Sequence, residues 1–380
     1  MQRYSAAGHG AMVADRARVE GYARAIERAV RPGDAVLEIG TGTGLFAVLA
    51  CRAGARRVYA IETDDIVEVA RANAAANGVA DRIEFFHAMS TEVELPERVA
   101  VIVSDLRGVL PLYEGHLESV IDARARFLAP GGRLVPRRDR LFLALAEAPA
   151  RHAELTGPWT GGALGVALPA AGELVVNDLQ KASFEPGQIL GAPVCWAEID
   201  YATVESTHFS ARVTLASARA GSCHGLAAWF DAELEDAVRY TTAPGAAARS
   251  TIYGNAFFPW PRALAFEAGE EAEVTMQARP VAGQYLWSWE MRHRGARYRQ
   301  STLFATPLSA SRLARRAASH VPPPSDEARI DHAILGAIVA GRSLGEIASD
   351  LLARWPARFG RWEDALARAG EVSGRYDGKP

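Results

Sequence analysis

The sequence predicts an α/β protein: a parallel sheet covered by helices, then an antiparallel β-barrel-like domain, then a small helical C-terminal module. Short apolar strands alternate with helices between residues 35 and 127, and the first strand runs directly into a glycine-rich turn. After about residue 145, short alternating segments separated by Gly, Pro and Ala turns replace this pattern, as is typical of antiparallel sheets. The predicted divisions are a helical lead at 1–30, the parallel-sheet domain at 31–145, the β domain at 146–310 and the helical module at 325–380.

The individual elements follow from apolar periodicity and from Gly and Pro stops. One helix is expected over 11–30, stopped by Pro32, Gly33 and Asp34. The predicted parallel strands are 35–39, 57–61, 82–86 and 99–103, and the predicted helices between and after them are 45–53, 65–77 and 114–127. In the β domain, the clearest alternating segments are 210–215, 224–231 and 273–277.

The C-terminal module follows a proline run at 322–324, which is typical of a linker. Helices are expected at 330–340, 344–355 and 362–369. Ser343 is predicted to cap the second helix with Glu346 in a capping box, and Gly370 to end the third. Three short helices of this kind suggest a winged-helix-like module.

Composition and charge exclude several classes of protein. The chain has 380 residues and a formal net charge of −3, which predicts no global attraction to nucleic acid or to anionic membranes. The three cysteines, Cys51, Cys195 and Cys223, are too few and too scattered for a disulfide framework, and neither they nor the histidines show metal-binding spacing. With no signal pattern and no apolar run long enough to cross a membrane, we expect a cytoplasmic protein.

The strongest local signal is the run Val-Leu-Glu-Ile-Gly-Thr-Gly-Thr-Gly at residues 36–44. Its glycines allow the backbone to approach a ligand closely at a helix N-terminus. Nicotinamide and flavin enzymes share this pattern, so the acidic residues decide between cofactors. Glu38 precedes the first glycine by two residues, where it suits the methionine ammonium of S-adenosylmethionine, and Glu62 ends the next strand, where it suits the ribose hydroxyls. Together they favour a Rossmann-like methyltransferase domain.

Residues 4–305, and most strongly 9–145, resemble the protein arginine methyltransferases. Residues 36–46 resemble that family's cofactor loop, and His9, Met12, Asp15 and Arg18 resemble the spaced residues of its N-terminal helix motif. The resemblance implies that Arg18 binds the carboxylate of S-adenosylmethionine. The predicted cofactor-binding set is His9, Arg18, Glu38, Gly40, Gly42, Thr43, Glu62, Ser90 and Thr91.

Residues 104–114 align without a gap with the family's substrate loop, in which two glutamates clamp and polarise a guanidinium. The resemblance assigns these catalytic roles to Asp105, which is one methylene shorter, and to Glu114. Tyr113, beside Glu114, is predicted to bind the substrate. The segment 224–231 resembles a barrel strand of the family, which implies the two-domain architecture.

The sequence departs from the family at three places. Asp105 replaces a glutamate, the stretch 249–255 has neither the His nor the Trp of the family's Thr-His-Trp loop, and Arg107 stands where the family usually has an apolar residue. If Arg107 faces the acceptor, it would repel a guanidinium and orient a carboxylate instead. The alternative is that Arg107 pairs internally with Asp105 or points away.

Three functions remain open at this stage. The first is methylation of a protein or peptide side chain, with arginine implied by the family. The departures lead us to expect a divergent, bacterial type of arginine methyltransferase-like enzyme. The second is O-methylation of a carboxylate on a ribosomally made pathway peptide or a small molecule, and the third is a catalytically degenerate cofactor-binding partner. The family also implies a homodimer joined by an arm, for which we expect residues 159–174.

The C-terminal module offers a second resemblance. Residues 334–352 weakly resemble peptide-chaperone modules, which bind a leader peptide as an added strand. The alternative is a dimerisation or packing appendage.

Overall fold

The computed structural model describes residues 5–247, 249–315 and 317–376. The chain divides into two compact units, Met1–Pro307 and Leu308–Pro380. The proline run at 322–324, where the sequence predicts a linker, lies within the second unit. Within the described ranges, no helix is both long enough and apolar enough to cross a membrane.

The first unit begins with helices and a five-stranded parallel sheet of order β3-β2-β1-β4-β5. Its elements are α1 Ala6–Ala14, α2 Arg16–Ala29, β1 Ala35–Ile39, α3 Leu45–Arg52, β2 Arg57–Glu62, α4 Val67–Ala76, β3 Ile83–His87, β4 Val99–Ser104, α5 His116–Phe127 and β5 Leu128–Val135. Every residue of the central strand β1 is buried, because helices cover both faces of the sheet. The carboxyl ends of β1, β2 and β4 therefore meet at one edge, where the candidate site lies.

The single N-terminal helix predicted over 11–30 is wrong, because the chain forms two helices that meet at Asp15. The backbone of Asp15 is extended, with φ −73° and ψ 91°, and its carboxylate accepts a hydrogen bond from the backbone N–H of Arg18 at 3.1 Å. An Asp side chain satisfies a free N–H at a helix start, so it favours a new N-terminus over continuation of the first helix. Helix α2 consequently has its own cap and direction.

The antiparallel part of the unit contains two further sheets. Its elements are β6 Arg138–Ala146, α6 Pro149–Thr160, α7 Gly172–Val175, β7 Gln180–Ala182, β8 Val194–Asp200, β9 Phe209–Ala216, β10 Gly221–Glu235, β11 Val238–Thr241, β12 Asn255–Phe266, β13 Glu271–Val281, β14 Gln284–His293 and β15 Ala296–Ser301. One sheet has the order β7-β12-β10-β6-β8, with β11 paired to β10, and the other has the order β15-β14-β13-β9. Trp260, Trp289 and Phe258 are buried in the core of this part.

Helices α6 and α7 enclose the stretch where the sequence predicts a dimerisation arm. Between them the chain turns at residues 161–168, and the side chains of Leu164, Val166 and Leu168 are exposed. The same segment borders a cavity of about 990 Å³ whose lining includes His152 and Gln300. The arm itself stays a prediction.

The second unit is helical throughout its described residues. Its elements are α8 Ala310–Ala314, α9 Asp326–Val339, α10 Leu344–Arg354 and α11 Trp362–Tyr376. The predicted capping box at Ser343 and Glu346 is confirmed. The predicted stop at Gly370 is wrong: α11 continues past it, because Ala369 and Val372 are fully buried in the unit's core, and packing outweighs the roughly 1 kcal/mol helix penalty of glycine.

The winged-helix comparison holds only for the helices. Across residues 308–315 and 317–376 there is no strand. The β wing and the sheet edge on which an added peptide strand would pair are therefore missing from the described part of this unit.

Candidate active site

The glycine-rich turn lies between the carboxyl end of β1 and the start of α3. Gly40 has φ 76°, a left-handed conformation that glycine adopts without strain. The backbone N–H groups of Gly40 and Thr41 both donate to the carbonyl oxygen of Ile61 on β2. A Cβ at Gly40 would lie 2.4 Å from the side chain of Leu106, so both the conformation and the space require glycine.

Glu38 is a buried carboxylate at the end of β1, directly beneath this turn. It is 2% exposed, and its Oε2 accepts a hydrogen bond from the Thr41 hydroxyl at 2.6 Å. Burial raises the pKa of Glu38 to about 8, the Thr41 hydrogen bond lowers it and nearby Glu62 raises it further. A ligand cation beside Glu38 would reverse this shift, because an opposite charge favours the ionised carboxyl group.

Glu62, at the end of β2, faces the same turn. Its Oε2 accepts the backbone N–H of Gly42 at 2.8 Å, and its Oε1 accepts the backbone N–H of Thr63 at 2.8 Å. Its Oε1 also accepts the backbone N–H of Asp64 at 3.1 Å. A carboxylate has about four acceptor positions, so about one remains for a ligand hydroxyl. Glu62 therefore both fixes the glycine turn and faces the space in which a nucleotide would lie.

The other predicted cofactor residues are placed around this edge in different ways. His9 on α1 covers the turn, since a Cβ at Gly42 would lie 3.5 Å from the His9 ring. The backbone carbonyl of Thr43 accepts a hydrogen bond from the Asn73 side chain of α4 at 2.9 Å. Ser90 is buried and Thr91 is exposed in a short turn after β3, and the carbonyl of Ser90 is bound by Arg126. Their roles stay predictions.

Arg18 and Asp105 form an ion pair above this edge. Arg18 Nε donates to Asp105 Oδ2 at 2.5 Å, and the two side chains are 11% and 5% exposed. The guanidinium of Arg18 also lies over the ring of Phe46, 5.0 Å from its centroid. The structure thus joins a residue predicted to bind cofactor to one predicted to be catalytic.

The Arg107 side chain, which the sequence predicts to bind the substrate, takes the internally paired alternative in this structure. The Arg107 side chain is completely buried, and its Nε and Nη2 each donate to Asp139, both at 2.8 Å. Its Nη1 donates to Asp105 at 2.9 Å and to the hydroxyl of Tyr22 at 2.6 Å. A buried guanidinium needs a carboxylate partner, and Asp139 supplies one, so Arg107 turns inward and pairs internally.

Asp105 consequently has no unused side. Besides the two arginines, the Tyr253 hydroxyl lies 2.6 Å from both carboxylate oxygens. Burial alone would raise the pKa of Asp105, but Arg18, Arg107 and Tyr253 together hold it below its ordinary value. Asp105 is therefore a permanently ionised anchor at neutral pH.

Glu114 differs from Asp105 in almost every respect. It lies later in the same loop and is partly exposed, and within the described part of the chain no hydrogen bond or ion pair engages its carboxylate. Its backbone has φ 41°, which costs a non-glycine residue about 1–2 kcal/mol. Tyr113 packs on Gly108, where a Cβ would lie 2.4 Å from the Tyr113 ring. The loop thus presents Glu114 in a strained conformation, as often occurs at functional sites.

Sequence reasoning missed the residues that complete this cluster. Tyr253 lies in the stretch 249–255, where the comparison with the family pattern shows only that His and Trp are lacking. Asp139 occupies an inward position of β6, in alternation with Leu141; an acid at such a position was the signal that could have revealed it. Tyr201, whose hydroxyl donates to Asp139 at 2.6 Å, had no local signal.

Comparison with other proteins places this arrangement among methyltransferases. The sequence profile of the ribosomal protein L11 methyltransferase (PrmA) family matches residues 21–134. A probable protein arginine N-methyltransferase 6 of Arabidopsis thaliana is 34% identical over 233 residues, which are 59% of this chain and 54% of that protein. Protein arginine N-methyltransferase PRMT10 of Oryza sativa subsp. japonica is 42% identical over 135 residues, 35% of this chain and 36% of that protein. The chain thus spans about half the length of the first relative and about a third of the second.

Comparison with solved structures identifies the fold. The PRMT1 enzyme-prozyme heterotetrameric complex of Trypanosoma brucei with AdoHcy matches with a TM-score of 0.71 at 23% identity, covering 77% of this chain and 96% of that chain. Protein arginine methyltransferase 10 of Arabidopsis thaliana matches with a TM-score of 0.67 at 22% identity, covering 77% and 97%. The fold is that of the protein arginine methyltransferases. The predicted order of a Rossmann-like domain followed by an antiparallel β domain is confirmed.

Proposed function

We propose that this chain is an S-adenosylmethionine-dependent methyltransferase that modifies a side chain of a protein or peptide, with arginine as the first candidate. One arrangement carries the proposal: Glu38 and Glu62 contact one glycine turn at the carboxyl edge of a parallel sheet, and Arg18 lies near enough to Glu38 to lower its pKa. The resemblance to arginine methyltransferases supports it, as does the AdoHcy in the T. brucei complex.

The residues at the turn fit this cofactor. Glu38 is a buried acid with a raised pKa. The ammonium group of the ligand would lower this pKa towards its ordinary value. Arg18 supplies a cation for the methionine carboxylate, and Glu62 supplies an acceptor for a ribose hydroxyl. When bound, S-adenosylmethionine would supply a methyl group activated by a positively charged sulfur, which is the leaving group in an in-line attack on the methyl carbon.

The chain contributes positioning and charge to this reaction. Glu114, whose carboxylate is available, accepts a hydrogen bond from the acceptor N–H and takes the proton that methylation releases. Asp105 holds Arg18 in place through their ion pair. Helix α1 covers the turn through His9, which limits the access of water.

The structure changes the balance between the three functions. A cation facing the acceptor would favour carboxylate methylation, but Arg107 is buried and paired with Asp105 and Asp139. The only acid of the loop without a partner among the described residues, Glu114, suits an acceptor that donates a hydrogen bond. Both points favour a nitrogen acceptor over a carboxylate.

The direct test is to incubate the protein with S-adenosylmethionine and candidate peptides, and to locate any methyl group by tandem mass spectrometry. An arginine-rich peptide and peptides encoded beside the gene are the first substrates. A methyl group on a guanidinium nitrogen supports the proposal. A base-labile methyl ester on a carboxylate would replace it with the second function, and cofactor binding without any turnover would favour the degenerate partner.

Assembly is part of the proposal. We propose a homodimer that uses the segment between α6 and α7, supported by its exposed Leu164, Val166 and Leu168. Light scattering should give twice the chain mass, and Leu164→Ser should weaken the dimer. An exposed site away from this segment, such as Val281→Ser, is the control. A monomeric wild-type protein would refute the dimer and leave the methyltransferase assignment intact.

We propose that the second unit binds a part of the peptide substrate that is distant from the residue to be methylated. The described residues of this unit offer no strand edge for strand addition, so the proposed contact uses helix surfaces. Ending the chain at Pro307 should then raise KM for a long peptide and leave KM for a short one unchanged. The predicted cytoplasmic location stays a prediction, as does the bacterial type, since the named relatives are plant proteins.

A further inference from the structure

Four side chains of alternating charge form a continuous chain through the first unit. From the inside outward they are Asp139, Arg107, Asp105 and Arg18, which we call the charge chain. Arg107 joins Asp139 through two hydrogen bonds of 2.8 Å and joins Asp105 through one of 2.9 Å. Asp105 in turn accepts from Arg18 at 2.5 Å. The exposed fraction of the four side chains rises outward, from 0% at Asp139 and Arg107 to 11% at Arg18.

The charge chain crosses from the β domain to the cofactor edge. Asp139 lies on β6, Asp105 and Arg107 lie in the loop after β4, and Arg18 lies on α2. Hydroxyl groups secure the inner part: Tyr201 donates to Asp139 at 2.6 Å, and Tyr22 accepts from Arg107. The inner end is thus held by several hydrogen bonds, while the outer end is Arg18, to which the proposed function assigns the cofactor carboxylate.

Because the charge chain is buried, a change in one of its charges alters the electrostatic potential at the others. The two carboxylates and two guanidinium groups balance, so the cluster has no net charge. Charges in a site with little water act on one another over several ångströms with weak screening. Removing an inner cation therefore makes the outer end more negative, and removing an inner carboxylate makes it more positive, even though neither residue reaches the ligand.

We propose that Arg107 and Asp139 are positioning residues that set, through Asp105, how strongly Arg18 attracts the carboxylate of bound S-adenosylmethionine. The inference rests on the proposed function, because it requires this cofactor at the glycine turn. With Arg107 present, Asp105 shares its charge between two guanidinium groups and leaves Arg18 available to the cofactor. Without Arg107, Arg18 would be the one cation of the charge chain still paired with Asp105, whose other partner is the neutral Tyr253 hydroxyl.

The test compares dissociation constants for two ligands, measured by titration calorimetry on the full chain. S-adenosylhomocysteine contains the amino-acid carboxylate, and methylthioadenosine lacks it. Arg107→Met should weaken the binding of S-adenosylhomocysteine about tenfold, whereas Asp139→Asn should strengthen it. Neither variant should change the affinity for methylthioadenosine by more than about twofold.

Two further variants separate charge from packing. Arg107→Lys keeps the positive charge but loses the bidentate hydrogen bond to Asp139. Its affinity for S-adenosylhomocysteine should therefore stay within about threefold of wild type. If Arg107→Met does not fold, Arg107→Gln, which removes the charge but keeps a hydrogen-bonding side chain, tests the sign against Asp139→Asn. The matched control is Arg124→Met, because Arg124 also secures the Tyr201 loop, through the carbonyls of Tyr201 and Val204. Arg124→Met should leave the dissociation constants of both ligands unchanged.

Each result has a distinct meaning. Opposite effects on S-adenosylhomocysteine, with methylthioadenosine unaffected, support the charge chain. Equal weakening of both ligands by both inner variants would show that these residues only maintain packing, and would overturn the inference while leaving the proposed function standing. Failure of the wild-type protein to bind either ligand would overturn the proposed function, and the inference with it.

Discussion

The carboxylate of Asp15 accepts a hydrogen bond from the Ser250 hydroxyl at 2.7 Å, and both residues are buried. The same oxygen accepts the backbone N–H groups of Thr251 and Ile252 at 2.8 and 2.9 Å. The other oxygen caps α2. One side chain thus fixes the helix that carries Arg18 to the loop that carries Tyr253, and both of those residues contact Asp105.

Replacing Asp15 with Ala should therefore disturb both partners of Asp105. We expect a loss of about 2–3 kcal/mol in the free energy of unfolding, from the lost cap and the hydrogen bonds to a charged group. Cofactor affinity should fall as well. Urea unfolding and calorimetry measure the two effects. Ser5→Ala, which removes the exposed cap of α1, should cost no more than about 1 kcal/mol; equal losses in the two variants would contradict this account.

Gly40→Ala should weaken cofactor binding and stability together. The new methyl group would meet Leu106 at 2.4 Å while the residue keeps φ 76°. Gly33→Ala is the matched control, because Gly33 has φ 90° but nothing within 4 Å of its Cβ. Each variant should lose about 1–2 kcal/mol of stability from backbone strain, but only Gly40→Ala should lower cofactor affinity. Equal affinities would show that the turn does not border the ligand.

Cofactor binding should release a proton from Glu38. Its pKa of about 8 in the folded protein lies above the ordinary 4.5, so the folded protein retains a proton that the unfolded chain loses. Stability of the cofactor-free protein should therefore decrease as the pH rises from about 4.5 to about 8. A ligand ammonium favours the ionised form, and binding near pH 7 should release nearly one proton.

Calorimetry in two buffers of different ionisation enthalpy measures that proton directly. Glu38→Gln should abolish the release, weaken cofactor binding, and flatten the dependence of Tm on pH without cofactor. Glu68→Gln, at an exposed position of α4, is the control and should behave as wild type. A wild-type binding enthalpy that does not depend on the buffer would refute the role of Glu38.

Glu114→Gln should reduce kcat by about 100-fold or more, the usual contribution of a group that accepts a proton in catalysis. Its stability and cofactor affinity should stay near wild type, because no described residue pairs with this carboxylate. Asp105→Asn should instead lose about 3–5 kcal/mol of stability, since it leaves two buried guanidinium groups with one fewer anion. Steady-state kinetics and thermal unfolding distinguish the two acids. An unchanged kcat for Glu114→Gln would exclude it as the base.

Ser343→Ala should affect the second unit alone. The Ser343 hydroxyl and the Glu346 carboxylate satisfy each other's backbone N–H groups at the start of α10. Losing this box should cost about 1 kcal/mol. Hydrogen exchange should become faster in residues 344–354, while cofactor affinity stays unchanged. Ser349→Ala, at an exposed mid-helix position, should have a smaller effect on exchange.

The parallel sheet and the glycine turn were predictable because their signals are local. A strand buried on both faces must be apolar along its whole length, as β1 is, and a turn that places Gly40 at φ 76° must contain glycine. The same holds for the capping box at Ser343, whose two partners are three residues apart. For such features, neighbours in sequence are also neighbours in space.

Helix ends were less predictable where two local preferences competed. The periodicity over 11–30 suited a single helix, but the capping preference of Asp15 divided it, since three donors from residues 250–252 also fix that carboxylate. At Gly370, by contrast, a residue that usually ends helices was overruled by the burial of Ala369 and Val372. In both places contacts distant in sequence outweighed the local preference.

The sequence by itself determined that Glu38, Gly40 and Glu62 lie at one edge of the parallel sheet, because the carboxyl ends of neighbouring parallel strands meet there whatever surrounds them. Only the tertiary structure decided the direction of Arg107. That choice depends on Asp139 and Tyr201, which lie 32 and 94 positions further along the chain (139 − 107 and 201 − 107). A buried guanidinium turns toward whichever carboxylate the fold brings within reach, and that carboxylate exists as a partner only once β6 and β8 have paired.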